Sequence, residues 1–218
     1  FGVSGAAGLG NSGNSLYRVP VNIQPQQASS SSLSKRATND QNVTGVVTGL
    51  IYTENNYNLT ILGGHFTATA SNGSEINNLL FINGSNSDQV TGISEGLDSD
   101  SVFLALGTQG TTLFAGGTIS GTINNNEVNG LIAYDFAGSN YVANQPPALT
   151  GDDVAVYTIA TQPETQSVFV GGSFEAAGDF DCPAVCVYDT ARSQWVSPGS
   201  GLSGSVASMT WVTNTRLV

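Results

Sequence analysis

The residues with the types and spacing to do chemistry are few, and the two cysteines come first among them. Cys182 and Cys186 stand in the sequence C-P-A-V-C. A fully extended strand would hold cysteines at this spacing too far apart to bond, but Pro183 favours a turn between them. Zinc would need further ligands that are not nearby, and the spacing is not that of a redox C-x-x-C pair. We therefore predict a local disulfide.

The other candidates are one histidine and three pairs of aspartates. His65, the only histidine, supplies neither a catalytic triad nor a histidine metal cluster. The aspartate pairs are Asp98/Asp100, Asp152/Asp153 and Asp179/Asp181. Paired carboxylates serve glycosidases or bind Ca²⁺, but aspartate in Gly- and Ser-rich stretches most often forms turns. We favour turns, with calcium binding as the alternative, and predict no catalysis, cofactor, metal or small-molecule substrate.

Three glycine pairs mark the elements that would position these residues. Gly63–Gly64, Gly116–Gly117 and Gly171–Gly172 each end an apolar run, and a weaker copy, F-G-V-S-G-A-A-G, opens the chain. Recurrence at about 50 residues indicates a repeat architecture. Each unit reads as an opening apolar strand, the strand that ends in the glycine pair, a third strand and a short fourth strand. Glycine pairs allow neighbouring backbones to approach closely.

Aromatic residues recur with the glycine pairs. Tyr134 is followed seven positions later by Tyr141, and Tyr188 by Trp195, whereas the first unit has Ile82 and Gln89 in these places. An apolar strand closing on Gly-Gly, then a Tyr, then an aromatic residue resembles the kelch repeat. We therefore predict an all-β, kelch-like β-propeller of four-stranded blades of about 50 residues, with a Gly-rich β-sandwich as the alternative.

The repeat pattern divides the chain into units. The predicted boundaries are 1–24 for a partial blade (strands 2 and 3), 25–42 for a low-complexity loop, 43–98, 99–153 and 154–205 for three blades, and 206–218 for the first strand of a next or composite blade. Either both termini close a ring through a composite blade, or the chain is an excised piece of a larger propeller. The longest loops, Thr67–Asn77 and Ser120–Asn129, are expected to carry binding.

The charge of the chain excludes some partners. Five basic and sixteen acidic residues give a net charge of −11. Nucleic acid and anionic membrane surfaces would be repelled. No apolar run reaches the roughly 18 residues that a membrane-spanning helix needs, so we expect any anchor to lie outside this chain.

Four N-x-S/T acceptors favour a secreted or cell-surface protein in an oxidising compartment. They are Asn42, Asn58, Asn72 and Asn83. Lys35 and Arg36 form a dibasic pair in the polar stretch between the first two units. Both the cleavage of this pair by a processing protease and its role as two solvated charges remain open.

The last whole unit carries a family resemblance. The sequence GGSFEAAGDFDCPAVCVYDTARSQWVSPGSGLSGSVASMTW resembles the repeats of the large fungal cortical polarity-marker proteins of bud-site selection, which are surface glycoproteins with kelch-like propeller ectodomains and one membrane span. The resemblance is clearest over Val154–Trp211 and fainter over Val46–Asp153. It implies a non-catalytic role at the extracellular side of the plasma membrane, where protein partners would be bound at sites of polarised growth or budding.

The alternative is a carbohydrate-binding or carbohydrate-active propeller of a secreted fungal protein. Tyr141, Trp195 and Trp211 would then stack on sugars, and glycans would join proteins as partners.

Overall fold

The computed structural model describes part of the chain. The described residues are 24–25 (backbone only), 45–54, 56–93, 95–162, 165–199 and 202–218. Several predictions therefore lie outside the described residues: the partial blade before residue 24, most of the low-complexity loop, the dibasic pair Lys35 and Arg36, and the acceptor Asn42.

The described residues form antiparallel β-sheets and contain no helix, which confirms the all-β prediction. In chain order the strands are β1 (Gln24–Pro25), β2 (Gly45–Tyr52), β3 (Leu59–Thr69), β4 (Glu75–Asn83), β5 (Gln89–Gly92), β6 (Val102–Gln109), β7 (Thr112–Ile123), β8 (Asn126–Asp135), β9 (Asn140–Tyr141), β10 (Leu149–Thr150), β11 (Ala155–Thr161), β12 (Ser167–Ser173), β13 (Ala176–Ala177), β14 (Phe180–Asp181), β15 (Val185–Asp189), β16 (Gln194–Val196), β17 (Trp211–Thr213) and β18 (Arg216–Leu217).

Three sheets repeat one arrangement of four sequential strands. Sheet 1 has the order β2-β3-β4-β5, sheet 2 the order β6-β7-β8-β9 and sheet 3 the order β11-β12-β15-β16. Strand β1 also pairs with β3, beyond the end of β2. Strand β10, which precedes sheet 3, forms a small sheet with β13 and β14, which lie between β12 and β15 in the chain. Strands β17 and β18 form a hairpin.

The glycine pairs sit where two backbones meet. In each sheet the first strand has a register shift opposite the pair, as between Val156 and Thr158 in β11. A Cβ on the second glycine, Gly64, Gly117 or Gly172, would overlap a carbonyl oxygen of that first strand. A Cβ on Gly116 would lie 2.6 Å from Cγ1 of Val156 in the next sheet. Glycine is therefore required both within a sheet and between neighbouring sheets.

Apolar side chains from adjacent sheets form the core. One cluster joins sheets 1 and 2 around Phe103, Leu113 and Ile132, and a second joins sheets 2 and 3 around Phe114 and Val156. A third cluster, around Phe66, Ile76 and Leu80, lies in sheet 1. Each sheet is thus held by side chains on its faces as well as by its own hydrogen bonds.

The stretches Thr67–Asn77 and Ser120–Asn129 differ from the prediction, because they are strands rather than long loops. Strands β3 and β4 are joined only by residues 70–74, and β7 and β8 only by Asn124 and Asn125. These asparagines have φ values of 51° and 65°, which suit a tight hairpin turn. The run of asparagines at 124–126 therefore indicates a tight hairpin turn between β7 and β8 and not an irregular loop.

The C-terminal stretch 206–218 was predicted to form the first strand of a next or composite blade, but β17 begins only at Trp211. Before it, the Val206 N–H donates to the Gly172 carbonyl at 3.0 Å, and the Met209 N–H donates to Thr158 Oγ1 at 3.0 Å. The segment follows sheet 3 through these bonds instead of joining a ladder, and a regular strand starts only where β18 is available as a partner.

Candidate interaction surface

Two aromatic pairs predicted from the sequence face each other across strands. Tyr134 is the direct partner of Tyr141, with ring centroids 5.5 Å apart, and Tyr188 is the partner of Trp195, with centroids 5.2 Å apart. Both pairs have an edge-to-face arrangement, which aromatic rings favour. Each pair belongs to an apolar cluster between two sheets and stabilises the pairing of the third strand with the fourth strand of its sheet.

The polar ends of these rings bind the segment that enters each sheet. Tyr141 Oη donates to the Glu95 carbonyl at 2.8 Å, and Trp195 Nε1 donates to the Pro147 carbonyl at 2.9 Å. Burial, with smaller contributions from Tyr134 and Glu95, raises the pKa of Tyr141 well above its usual value. Trp195 is only 6% exposed, so its ring is not available to stack on a sugar.

Trp211 is the third aromatic residue considered for sugar stacking. It is half-buried and packs edge-on against Phe169, with centroids 5.3 Å apart. Its Nε1 atom is buried without a hydrogen-bond partner. The contact with Phe169 takes part of the indole ring away from solvent.

The first unit departs from the predicted pairing. Val90, and not Gln89, lies opposite Ile82, and Gln89 pairs with Asn83 instead. The turn between β4 and β5 holds residues 84–88, one residue more than the turn between β8 and β9 at residues 136–139. The extra residue shifts the fourth strand, so a count of seven positions finds the wrong partner.

Cys182 and Cys186 form the predicted disulfide, with their Cα atoms 5.5 Å apart. Both side chains are fully buried in the cluster between sheets 2 and 3. Ala184, inside the closed turn, has a φ of 66° and provides the reversal that an extended strand lacks. A buried bond of this kind serves structure rather than redox exchange.

His65 joins sheet 1 to the segment that enters sheet 2. The side chain is 8% exposed, and its Nδ1 atom lies 3.1 Å from the Ser101 carbonyl oxygen, which requires the proton on Nδ1. The Ser101 hydroxyl in turn donates to the Ser120 carbonyl at 3.2 Å. This network is structural, because the His65 imidazole and the Ser101 hydroxyl both donate to backbone carbonyl oxygens.

The aspartate pairs are exposed. One pair precedes sheet 2, one precedes sheet 3, and the third lies at the hairpin of β13 and β14. Asp98 begins a turn that the Ser101 N–H closes at 3.1 Å, and its carboxylate accepts a hydrogen bond of 2.7 Å from Ser120 Oγ. Among the described residues no group of three or more His, Cys, Asp or Glu side chains is placed to hold a metal ion.

Three of the four acceptor asparagines lie in or beside sheet 1. Asn72 is exposed, and its Oδ1 accepts hydrogen bonds from Ser74 N at 3.0 Å and Ser74 Oγ at 2.7 Å. Asn83 has the same turn, with Ser85 N donating to its Oδ1 at 3.0 Å. Asn58 is exposed just before β3. In the two turns the Oδ1 atom is engaged, so Nδ2 is the atom left to carry a glycan.

One end of the sheets is strongly acidic. We call it the hairpin end; it comprises the turns at residues 70–74, 124–125 and 178–179, the described residues of the segment that leads into sheet 2 (93 and 95–101) and the segment 143–154. Its carboxylates are Glu75, Glu95, Asp98, Asp100, Glu127, Asp152, Asp153, Glu175, Asp179 and Asp181. The two described cations, Arg192 and Arg216, lie at the opposite end.

A cavity of about 240 Å³ opens at the hairpin end between sheets 1 and 2. It is lined by Glu75, Asn77, Asn78, Ile93, Glu95, Leu97, Asp98 and Ser99. Nothing in the sequence had singled this set out, because its members come from β4 and from the segment that leads into sheet 2.

The described residues thus define an all-β protein built of repeated four-stranded sheets with an acidic end. Residues 131–218 match the family described as "Rax2 C-terminal beta propeller domain". Polarized growth protein L1 of Phoma sp. (strain ATCC 20986 / MF5453) is 42% identical over 222 residues, which cover 98% of this chain and 17% of that protein. Polarized growth protein RAX2 of Candida albicans (strain SC5314 / ATCC MYA-2876) is 33% identical over 92 residues, covering 39% of this chain and 6% of that protein.

Residues 131–218 thus belong to the Rax2 C-terminal β-propeller family, and the chain as a whole is similar to a fungal protein named for polarised growth. It spans only 17% and 6% of the lengths of these two relatives. The computationally designed protein Ika8 matches 78% of this chain and 66% of its own, with 14% identity and a TM-score of 0.29, a likeness too distant to carry an argument. The described part of the chain contains no helix that could cross a membrane.

Proposed function

We propose that this chain is an extracellular, kelch-like propeller segment that marks cortical sites for polarised growth or budding by binding other proteins, without catalysis. The observation that carries the proposal is the 42% identity over 98% of the chain to a protein named for polarised growth. Repeated four-stranded sheets joined by turns also suit a binding role, because turns and loops at the ends of such sheets commonly carry binding.

Sheets 1, 2 and 3 correspond in this proposal to the blades at 43–98, 99–153 and 154–205. Residues 206–218 would be the opening hairpin of a further blade. Val206 and Met209 support this reading, because a Cβ on Gly171 would lie 2.9 Å from a side-chain atom of each. Phe103, which opens sheet 2, meets Gly63 in the same way at 3.0 Å. Closure of the ring by a composite blade from both termini is part of this proposal.

Two features support the extracellular side of the plasma membrane as the location. The disulfide Cys182–Cys186 suits an oxidising compartment. Asn58, Asn72 and Asn83 lie in or beside sheet 1, with exposed or half-buried side chains that leave room for glycans. Cleavage after Lys35 and Arg36 stays a prediction.

Live imaging of the full-length protein tests the proposal. The protein carries a fluorescent tag through one growth cycle, and the control is the same protein without residues 45–218. We expect a persistent patch at old or new growth sites that is lost from the control. Signal spread through the wall or lost to the medium contradicts the polarity role, and a patch that persists in the control contradicts the role of this segment.

A further inference from the structure

We propose that the cavity between sheets 1 and 2 binds a cationic side chain, arginine or lysine, carried by an extended segment of a partner protein. This inference deepens the proposed function, on which it rests, by giving the chemistry of the partner. Three carboxylates, one buried amide and a comparison between two equivalent places in the repeat carry it.

The carboxylates of the cavity are Glu75, Glu95 and Asp98, and no cation from the described residues lies at this end. The fold positions two of them. Asp98 Oδ2 accepts from Ser120 Oγ at 2.7 Å, and the backbone of Glu95 is fixed by the 2.8 Å hydrogen bond from Tyr141. Three negative charges around one opening lower the electrostatic potential there and attract a cation.

Asn78 provides an independent sign that the cavity takes a polar ligand. The residue is only 2% exposed, and its Oδ1 accepts the Phe66 N–H at 2.9 Å. Its Nδ2 has no hydrogen bond within the described residues and is not among their fully buried unpaired atoms, so this nitrogen is open to the cavity that Asn78 lines. A carbonyl oxygen of a bound peptide would accept a hydrogen bond from it. The cavity therefore offers acceptors for a cation and one donor for a backbone.

The equivalent place between sheets 2 and 3 is closed and lacks these groups. Gly130 stands where Asn78 does, since Leu131 pairs with Gly116 as Leu79 pairs with Gly63. A Cβ on Gly130 would lie 2.8 Å from both Leu149 and Val154, so no side chain fits there.

The same comparison accounts for the charges. Pro147 occupies the position of Glu95 in the second interface. The carbonyl of Glu95 accepts a hydrogen bond from Tyr141, and the carbonyl of Pro147 accepts the corresponding hydrogen bond from Trp195. Thr150 occupies the position of Asp98. Asp98 follows Leu97, which bridges to β7, and Thr150 follows Leu149, which pairs with β13. The fold alone does not demand an open acidic cavity, which is particular to the first interface.

Other occupants fit less well. The three carboxylates do not form a metal site, and no aromatic side chain among the described residues lines the cavity as a platform for a sugar ring. Arginine supplies five N–H donors and lysine three, and hydrogen bonds between ions are stronger than neutral ones.

The test is the binding of a blocked (Gly-Arg)₃ peptide to the whole chain, measured by NMR titration and calorimetry. The matched probe replaces arginine by citrulline, which has the same shape without the charge. We expect saturable binding of the arginine peptide only, with shifts at Asn78 and its neighbours. The variant Glu95→Gln/Asp98→Asn should bind at least tenfold more weakly.

The control variant is Asp179→Asn/Asp181→Asn, which makes the same charge change at the exposed turn of the small sheet. It should keep the affinity within about threefold, because distant exposed charges are screened. Equal loss in both variants, equal binding of the citrulline peptide, preferential binding of a neutral chitohexaose, or no saturable binding would each overturn the inference. Cortical signal without peptide binding would reject the cavity proposal and leave the proposed function standing. Peptide binding without cortical signal would reject the proposed function and leave the cavity as a site for cationic side chains.

Discussion

Gly172 lies so close to Ala155 in the neighbouring strand that a methyl group on the glycine would overlap the carbonyl oxygen of Ala155. The second glycine of each of the other two pairs meets the first strand of its own sheet in the same way. The irregular first strand of each sheet therefore leaves room only for glycine at the second position of the pair.

Gly172→Ala should lower the free energy of unfolding by about 3 kcal/mol, because the obstructing atoms are backbone atoms that cannot rotate away. Urea unfolding measures the loss. Gly199→Ala is the control, since a Cβ there would meet nothing within 4 Å, and it should change the stability by less than about 0.5 kcal/mol. Equal effects of the two substitutions would contradict this account.

Tyr141→Phe should cost about 1 kcal/mol, because it removes the hydrogen bond to the Glu95 carbonyl and keeps the ring against Tyr134. Thermal and urea unfolding measure the change. Tyr157→Phe is a matched control, since Tyr157 is 41% exposed and is not in the aromatic pairs. If both variants lose the same stability, the hydroxyl of Tyr141 has no special role.

The buried tyrosines should make the protein sensitive to alkali. Burial, as the largest cause, raises the pKa values of Tyr134, Tyr141 and Tyr188 above the usual value of 10.0. The neutral form is thus favoured in the folded chain, so this stabilisation is present below about pH 10 and is lost as the pH rises above it. Melting temperatures between pH 8 and pH 11.5 should fall above about pH 10. The fall should be smaller in Tyr141→Phe, and an identical profile would contradict the assignment.

The sequence was sufficient for features that depend on short-range spacing. The glycine pairs predicted the repeat, and a spacing of seven residues placed Tyr188 opposite Trp195, because a tight turn joins the two strands. The turn chemistry of Pro183 predicted the disulfide between Cys182 and Cys186, which the structure contains.

Features that depend on turn length or on neighbouring sheets were not predictable. Because the turn at 84–88 has one extra residue, the register of β5 is shifted and Val90, instead of Gln89, lies opposite Ile82. The acidic cavity joins Glu75 to Asp98 across two sheets, so no local pattern could reveal it. Only the superposition of equivalent positions shows that the first interface is open where the second is closed.

Asn72 should carry an N-glycan when the chain is secreted from a eukaryotic host, because it lies in an exposed turn. Peptide mapping before and after deglycosylation measures the occupancy. Ser74→Ala should abolish it, since the hydroxyl of the acceptor sequence is lost, whereas Asn124→Gln in the neighbouring hairpin turn should have no effect. An unmodified Asn72 in the secreted protein would contradict the prediction.

Removing the disulfide should destabilise sheet 3 even though the loop that it closes is short. Loop-closure entropy for a ring of this size is worth about 2 kcal/mol, and Cys182 and Cys186 are both fully buried between sheets 2 and 3. Cys182→Ala/Cys186→Ala should therefore lower the free energy of unfolding by about 2 kcal/mol or more, because two buried sulfur atoms are lost as well. Urea unfolding of the variant, beside the wild type with and without reductant, separates the two contributions. If reduction alone has no effect while the variant is destabilised, packing of the sulfur atoms and not the covalent bond stabilises this part of the fold.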